Sequence, residues 1–305
     1  MEAEREEKKD INWKNRKIRQ RLIDFRTSLI NDGYMQKTVQ QYMQRIKTLY
    51  RTYEIEIREL PYLSNKTIPK APPITYKDLP TRDLLRNILP LCNQVQSALM
   101  LFMISSGCAR KEALSLKIQD FIDATSEYHD GSDDINIVLG RLYGREDVIP
   151  TWSVFRFKTG QYYTTFSSPE STVFIVGYLL SRRDLLESGK SLFKINEHYV
   201  SDFFSLINKR LGLGKAGTYN KFRSHALRKF HASALYNDGM SKDMVNELQG
   251  KMKSKTDRAY FVVNPDVLRR EYIHHIGSVS ILSDVDVGVW GKLDLSDLDD
   301  FSRFY

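Results

Sequence analysis

Residues 224–237 read Ser224-His225-Ala226-Leu227-Arg228-Lys229-Phe230-His231-Ala232-Ser233-Ala234-Leu235-Tyr236-Asn237. Leu227, Phe230 and Ala234 recur at helical intervals, which predicts a helix with those side chains facing a core. Ser224 is placed to cap its start, and Gly239 lies just beyond its end. His225 and Arg228 are three residues apart and share the other side. A His and an Arg at a helix N-terminus form an anion site, because the helix dipole and free N–H groups add to their charge. Taken alone, the pair reads more readily as an exposed polar face.

Three other stretches carry candidate chemistry. Residues 105–121 read SSGCARKEALSLKIQDF. Arg110 follows a Gly-containing turn and opens a helix that sends Leu114 and Leu116 inward. Its planar fork suits two phosphate oxygens, although a surface arginine paired with Glu112 has the same pattern. Further on, strand character is expected at Ile135–Val138, Val154–Phe157 and Tyr162–Phe166. The last two flank Lys158-Thr159-Gly160-Gln161, a hairpin turn with Lys158 at its tip, where a lysine also serves solubility. Ser241 caps a short helix through Leu248, and then residues 248–261 read LQGKMKSKTDRAYF. Tyr260 follows a run of basic residues there, but it is one of 17 tyrosines, most of which serve packing in any protein.

At the other end, Ile18, Leu22, Phe25 and Leu29 predict one amphipathic helix, stopped by Gly33. Val39, Tyr42, Met43, Ile46, Leu49, Tyr50 and Tyr53 predict a second, with all seven on one apolar face, opened by a Thr38/Gln41 capping box. The N-terminus is densely charged from Glu2 to Asp10, which argues against a signal peptide. The stretch 61–73 (PYLSNKTIPKAPP) holds four prolines and reads as a linker. Lys and Arg number 46 against 38 acidic residues, for a net charge of +8. Residues 284–305 hold six aspartates and only two basic residues, so the rest of the chain is more basic still. That balance favours a polyanionic partner, nucleic acid or an anionic membrane. The longest apolar run, Ala98–Ile104, is too short to span a bilayer. Two cysteines, Cys92 and Cys108, make no disulfide framework and fit a reduced interior. No metal motif or cofactor motif is evident.

Each signal is weak alone. In order, an Arg helix, a Lys hairpin, His-x-x-Arg and a Tyr about thirty residues on resemble the tyrosine recombinases (phage integrases). The wording of SSGCARKEALSLKIQDF, HALRKF and LQGKMKSKTDRAYF looks closest to integrases of archaea and archaeal mobile elements. The resemblance implies a mainly α fold with a small antiparallel β-sheet. It divides the chain into an N-terminal helical DNA-clamp domain (1–60), a linker (61–73), an α-rich catalytic domain (74–280) and an acidic tail (281–305) suited to docking between protomers. It implies a cytoplasmic, DNA-associated protein that works as a homotetramer on paired double-stranded sites, with no cofactor, metal or membrane.

The resemblance also assigns roles. Arg110 and Arg228 would hold the non-bridging oxygens of the scissile phosphate, and Tyr260 would attack it to give a 3′-phosphotyrosine. His225 would take a proton or hold an oxygen. Lys158 would protonate the leaving 5′-oxygen. Lys251 stands nine residues before Tyr260, where the family usually has His or Trp. A second departure is that Glu112 follows Arg110 by two residues, where the family often has three. The two departures leave room for a DNA-binding protein without activity. A type IB topoisomerase-like relaxing enzyme uses the same chemistry and is the nearer alternative.

Overall fold

The structure, a computed structural model, describes residues 17–57, 59–62, 71–182, 184–251 and 263–282. Tyr260, the acidic tail from residue 283 on and most of the proline stretch lie outside these residues. The chain divides into two compact units, residues 1–74 with 216–218, and residues 75–215 with 219–305.

The first unit is built on two helices, α1 (Ile18–Asn31) and α2 (Gln36–Thr52). Leu22 and Leu29 of α1 bury against Val39 and Met43 of α2, with Ile46 and Tyr50 packed beside them, whereas Tyr42, Leu49 and Tyr53 of the expected apolar face are exposed. Gly33 takes a φ of 78°, and its N–H closes on the Ile30 carbonyl after α1 ends. The expected Thr38/Gln41 box is not formed. Met35 is the N-cap, and the Thr38 N–H donates to the Met35 carbonyl at 2.8 Å, so Thr38 already lies inside the first turn. Lys37, Arg45 and Arg51 on α2 face solvent.

The second unit is also mainly helical. It contains α3 (Arg82–Ile88), α4 (Gln94–Ser106), α5 (Arg110–Ser115), α6 (Ile118–Ala124) and α7 (Ile135–Leu142). A two-stranded antiparallel sheet follows, β1 (Thr151–Arg156) with β2 (Gln161–Phe166). Then come α8 (Pro169–Ser181), α9 (Glu197–Arg210), α10 (Ser224–Asn237), α11 (Lys242–Leu248) and α12 (Pro265–Val279). The mainly α fold with a small antiparallel sheet is as expected.

Helix α4 is the axis of this unit. It is buried from Gln96 to Ser106, and each large apolar side chain so buried contributes about 1.5–3 kcal/mol. Asn93 and Gln96 exchange hydrogen bonds at its start, and Gly107 ends it in the left-handed region. The Tyr272 hydroxyl of α12 donates to the Ser105 carbonyl at 3.0 Å, which ties α12 to the buried last turn of α4. Trp152 and Val154 of β1 point inward, and the Trp152 ring meets Phe102 edge-on. The strand alternation therefore sets which β1 side chains face the interior.

Residues 280–282, just past α12, are clamped in both polarities. The Glu170 carboxylate accepts the N–H groups of Ile281 (2.9 Å) and Leu282 (2.8 Å). Arg82 donates to the Ser280 carbonyl, and Arg86 to that of Ile281.

Two expectations for this unit are corrected. Ile135–Val138 alternates like a strand but opens helix α7, because Asp134 caps the Asn136 N–H at 2.8 Å and Ile135, Val138, Leu139 and Leu142 then bury one helical face. Ser224 is the first helical residue of α10, not its cap. Arg223 occupies the N-cap, and its carbonyl accepts the Ala226 N–H.

Candidate active site

Glu112 organises the site. It lies at the third position of α5, where its Oε2 accepts the Ala109 N–H at 2.7 Å. The same oxygen accepts the Tyr163 hydroxyl at 2.8 Å and faces Arg228 Nη1 at 3.2 Å. The other oxygen, Oε1, faces Arg156 Nη1 at 3.6 Å. One buried carboxylate thus gathers α5, both strands of the hairpin and α10. Burial raises the Tyr163 phenol well above its ordinary value, and Cys108 and Glu112 beside it push the same way. Tyr163 is therefore a fixed donor.

Arg228 is buried, so the exposed-face reading of α10 does not hold for it. Besides Glu112 it donates to the carbonyls of Gly107 and Gln249. Arg156 donates to the same Gln249 carbonyl. Gln249 also turns its side-chain amide onto the Arg228 carbonyl at 2.9 Å and onto His231 Nδ1 at 3.1 Å.

Gln249 thereby fixes the chain that leads to Lys251. So does Gly250, whose φ is +56° and whose missing Cβ would sit 2.5 Å from the Tyr163 ring. Only glycine permits this approach. Lys251 emerges exposed at the edge of the cluster. Desolvation lowers its pKa from the ordinary lysine value, and Arg228, Arg156 and Lys242 add to that. His225, exposed near the start of α10, is lowered as well, first by desolvation and then by Lys229, Arg223, Arg228 and Lys251. A neutral imidazole able to accept a proton is favoured there. Lys158 sits exposed in the β1–β2 turn, two residues from Arg156, on the hairpin that Glu112 holds.

The structure does not bring Arg110 to this group. Its guanidinium bonds Ser201 and, at 2.8 Å, Glu197, both on α9. The reason is helical geometry. Residues two apart differ by about 200° around an α-helix, so Arg110 leaves the face opposite Glu112. Glu112 does buttress the site, and the position three before it, on its own side, is Ala109. Sequence reasoning missed Arg156, Gln249 and Tyr163. The two-residue spacing from Arg110 to Glu112 was the one signal that the arginine would have to come from elsewhere.

His231 is fully buried behind the cluster, against Gly107, where a Cβ would meet its ring at 2.5 Å. Burial lowers its pKa from 6.5 to about 3, with smaller contributions from Arg228 and Lys251. Because the folded value lies below the unfolded one, the unfolded chain binds the extra proton between these limits. The stability His231 contributes is full above pH 6.5 and drains away as pH falls toward 3. At pH 4 the loss is expected to reach about 3 kcal/mol. Urea unfolding at pH 7 and pH 4 measures it. His231→Asn should flatten the dependence, and an unchanged slope in that variant would assign it to other groups.

No family model matches the sequence. No curated protein matches it either. Solved structures do match. The XerH site-specific recombinase bound to difH substrate, in its pre-cleavage complex, is 18% identical over 85% of this chain and 72% of that chain, with a TM-score of 0.51. The XerH post-cleavage complex on palindromic difH substrate is 17% identical, over 82% of this chain and 67% of that one, with a TM-score of 0.52. The XerA recombinase overlaps more loosely, at 15% identity and a TM-score of 0.40 over 84% of this chain and 82% of that one. At these identities the likeness establishes architecture. The chain is similar in fold to the XerH site-specific recombinase, in keeping with the tyrosine recombinase catalytic fold that its sequence pattern resembles.

Proposed function

We propose that this protein is a site-specific DNA recombinase that cleaves and rejoins strands through a covalent 3′-phosphotyrosine intermediate at Tyr260, in the service of integrating or excising a mobile element. The observation that carries the reading is the convergence of the His225/Arg228 helix, the Lys158 hairpin and the Gln249–Lys251 turn on one buried carboxylate. These are the segments that the sequence pattern singled out separately. They leave more positive charge than Glu112 balances, which suits a phosphodiester whose negative charge grows in the transition state.

In this scheme Arg228 holds a non-bridging oxygen, and the Gly107 and Gln249 carbonyls keep its fork fixed. Lys251 donates a hydrogen bond to the phosphate from the edge. His225 accepts the tyrosine proton or holds an oxygen. Lys158, on an exposed tip, protonates the leaving 5′-oxygen. The phosphodiester energy is kept in the protein–DNA bond and used again for religation. Basic side chains on α1 and α2 contact DNA phosphates, which makes binding salt-dependent. Four protomers on two duplexes complete the exchange.

The test is a nicked duplex whose short cleaved strand diffuses away, so that covalent protein–DNA adduct accumulates. Wild type should form it, and its absence on a site the protein binds would overturn the reading. Lys158→Ala should slow the reaction about a hundredfold or more on ordinary DNA and far less on DNA with a 5′-thiolate leaving group, which needs no proton. Equal slowing on both would remove Lys158 from the general-acid role.

A further inference from the structure

We infer that Arg156, at the end of β1, is the second phosphate-binding arginine of this site, in the role that the sequence pattern assigns to Arg110. The inference rests on the recombinase reading above and deepens it. Three observations carry it.

The first is position. Arg156 shares both oxygens' worth of Glu112 with Arg228, one guanidinium to each oxygen, and both donate to the Gln249 carbonyl. The two guanidiniums are therefore held side by side by the same two acceptors. The second is charge. Glu112 is the one carboxylate within ion-pair distance of either arginine among the described residues. Two guanidiniums on a single carboxylate leave a full positive charge over, next to Lys251. The third is an unused donor. Arg156 is 13% exposed along its side chain, and its Nε is buried with no hydrogen-bond partner among the described residues. A buried N–H of a charged group without an acceptor is costly unless a ligand supplies one. A phosphate oxygen is such an acceptor, and the planar edge of a guanidinium presents two donors to it.

Arg110 has none of these properties. It has a carboxylate of its own in Glu197, on the far side of α5. The position on the Glu112 side of that helix is Ala109, which has no side chain to offer. Strand β1 supplies the guanidinium that the helix start does not.

The experiment uses the full-length chain and a nicked duplex recovered by selection on the protein from a random-sequence pool. Adduct formation is timed on that duplex with a normal scissile phosphodiester. It is timed again on the same duplex with a methylphosphonate there, which lacks one of the charged oxygens. Arg156→Lys keeps the charge that faces Glu112 but loses the fork. It should slow the phosphodiester reaction about a hundredfold and the methylphosphonate reaction less than about tenfold. Arg156→Ala should show the same split more strongly, and Arg110→Ala should stay within about threefold of wild type on both.

Equal loss on both substrates in Arg156→Lys, with its thermal unfolding unchanged, would make Arg156 a structural residue and overturn the assignment. So would a loss on the phosphodiester that follows Arg110→Ala and spares Arg156→Lys. No adduct from wild type on either duplex would instead bring down the recombinase reading, and the assignment with it.

Discussion

Tyr260→Phe should leave DNA binding within about threefold of wild type and abolish the covalent adduct, a loss of about a thousandfold or more in attachment rate. Only the phenolic hydroxyl is removed, and Tyr260 is the one tyrosine between Lys251 and Tyr272 in the sequence. A phenol titrates near ~10 in water, so a free tyrosine is a poor nucleophile at neutral pH. In the proposed mechanism, the surplus of cations around Glu112 would lower the cost of forming the phenolate and of charging the phosphate. A nicked duplex, a denaturing gel and peptide mapping of the trapped adduct make the measurement. An adduct that persists in the Phe variant would place the nucleophile at another residue, and the mapping would find it.

Glu112→Gln should be the most damaging substitution outside the nucleophile. It keeps the shape and one acceptor, and removes the single negative charge shared by two buried guanidiniums. Breaking one partner out of a buried ion pair costs roughly 3–5 kcal/mol, and the side chains of Glu112, Arg228 and Arg156 are only 6%, 8% and 13% exposed. Solvent therefore screens this cluster little. Urea unfolding at pH 7 should show a loss in that range, and cleavage should fall with it even where the variant is still folded. A change below about 1 kcal/mol would mean that the carbonyls of Gly107 and Gln249, rather than the carboxylate, hold the arginines.

Much of the architecture could be read from local pattern. The first two helices, the Ser241 cap and the Lys158 turn are set by contacts within a few residues, and such contacts leave a period or a turn signature. Ile135–Val138 misled because four residues of alternation cannot distinguish a strand from the first turn of a helix. Leu139 and Leu142 complete the helical face only beyond that window. The misplaced caps at Thr38 and Ser224 have a related cause. Both residues are good caps in isolation, but the chain enters each helix earlier, at Met35 and Arg223.

The candidate residues could be picked out of the sequence one by one, but the assembly around Glu112 could not. His225, Arg228, Lys158 and Lys251 come from segments that carry a motif. Arg156 carries none, because it is one arginine in a strand and its importance depends on Glu112, 44 positions away. Gln249 acts through its backbone carbonyl, which any residue possesses, and its amide reaches a histidine that sequence reading assigned no role. What the sequence did contain was a discrepancy of one residue between Arg110 and Glu112. About 100° of helix per residue turns that discrepancy into a change of partner.

The Glu112 hub also works as a coincidence detector. Its carboxylate is satisfied only when the α5 turn, both hairpin strands and α10 are all in place, and the Gln249 carbonyl adds the end of α11 to that requirement. Detaching any one segment strands a buried charge, so half-built versions of the cluster are disfavoured relative to the complete one or none. A protein that opens locally thus scatters its cations instead of offering a loosened cutting centre. Under the proposed strand-cutting function, failing in the disassembled state would be a form of safety, and here it would rest on a single acidic side chain.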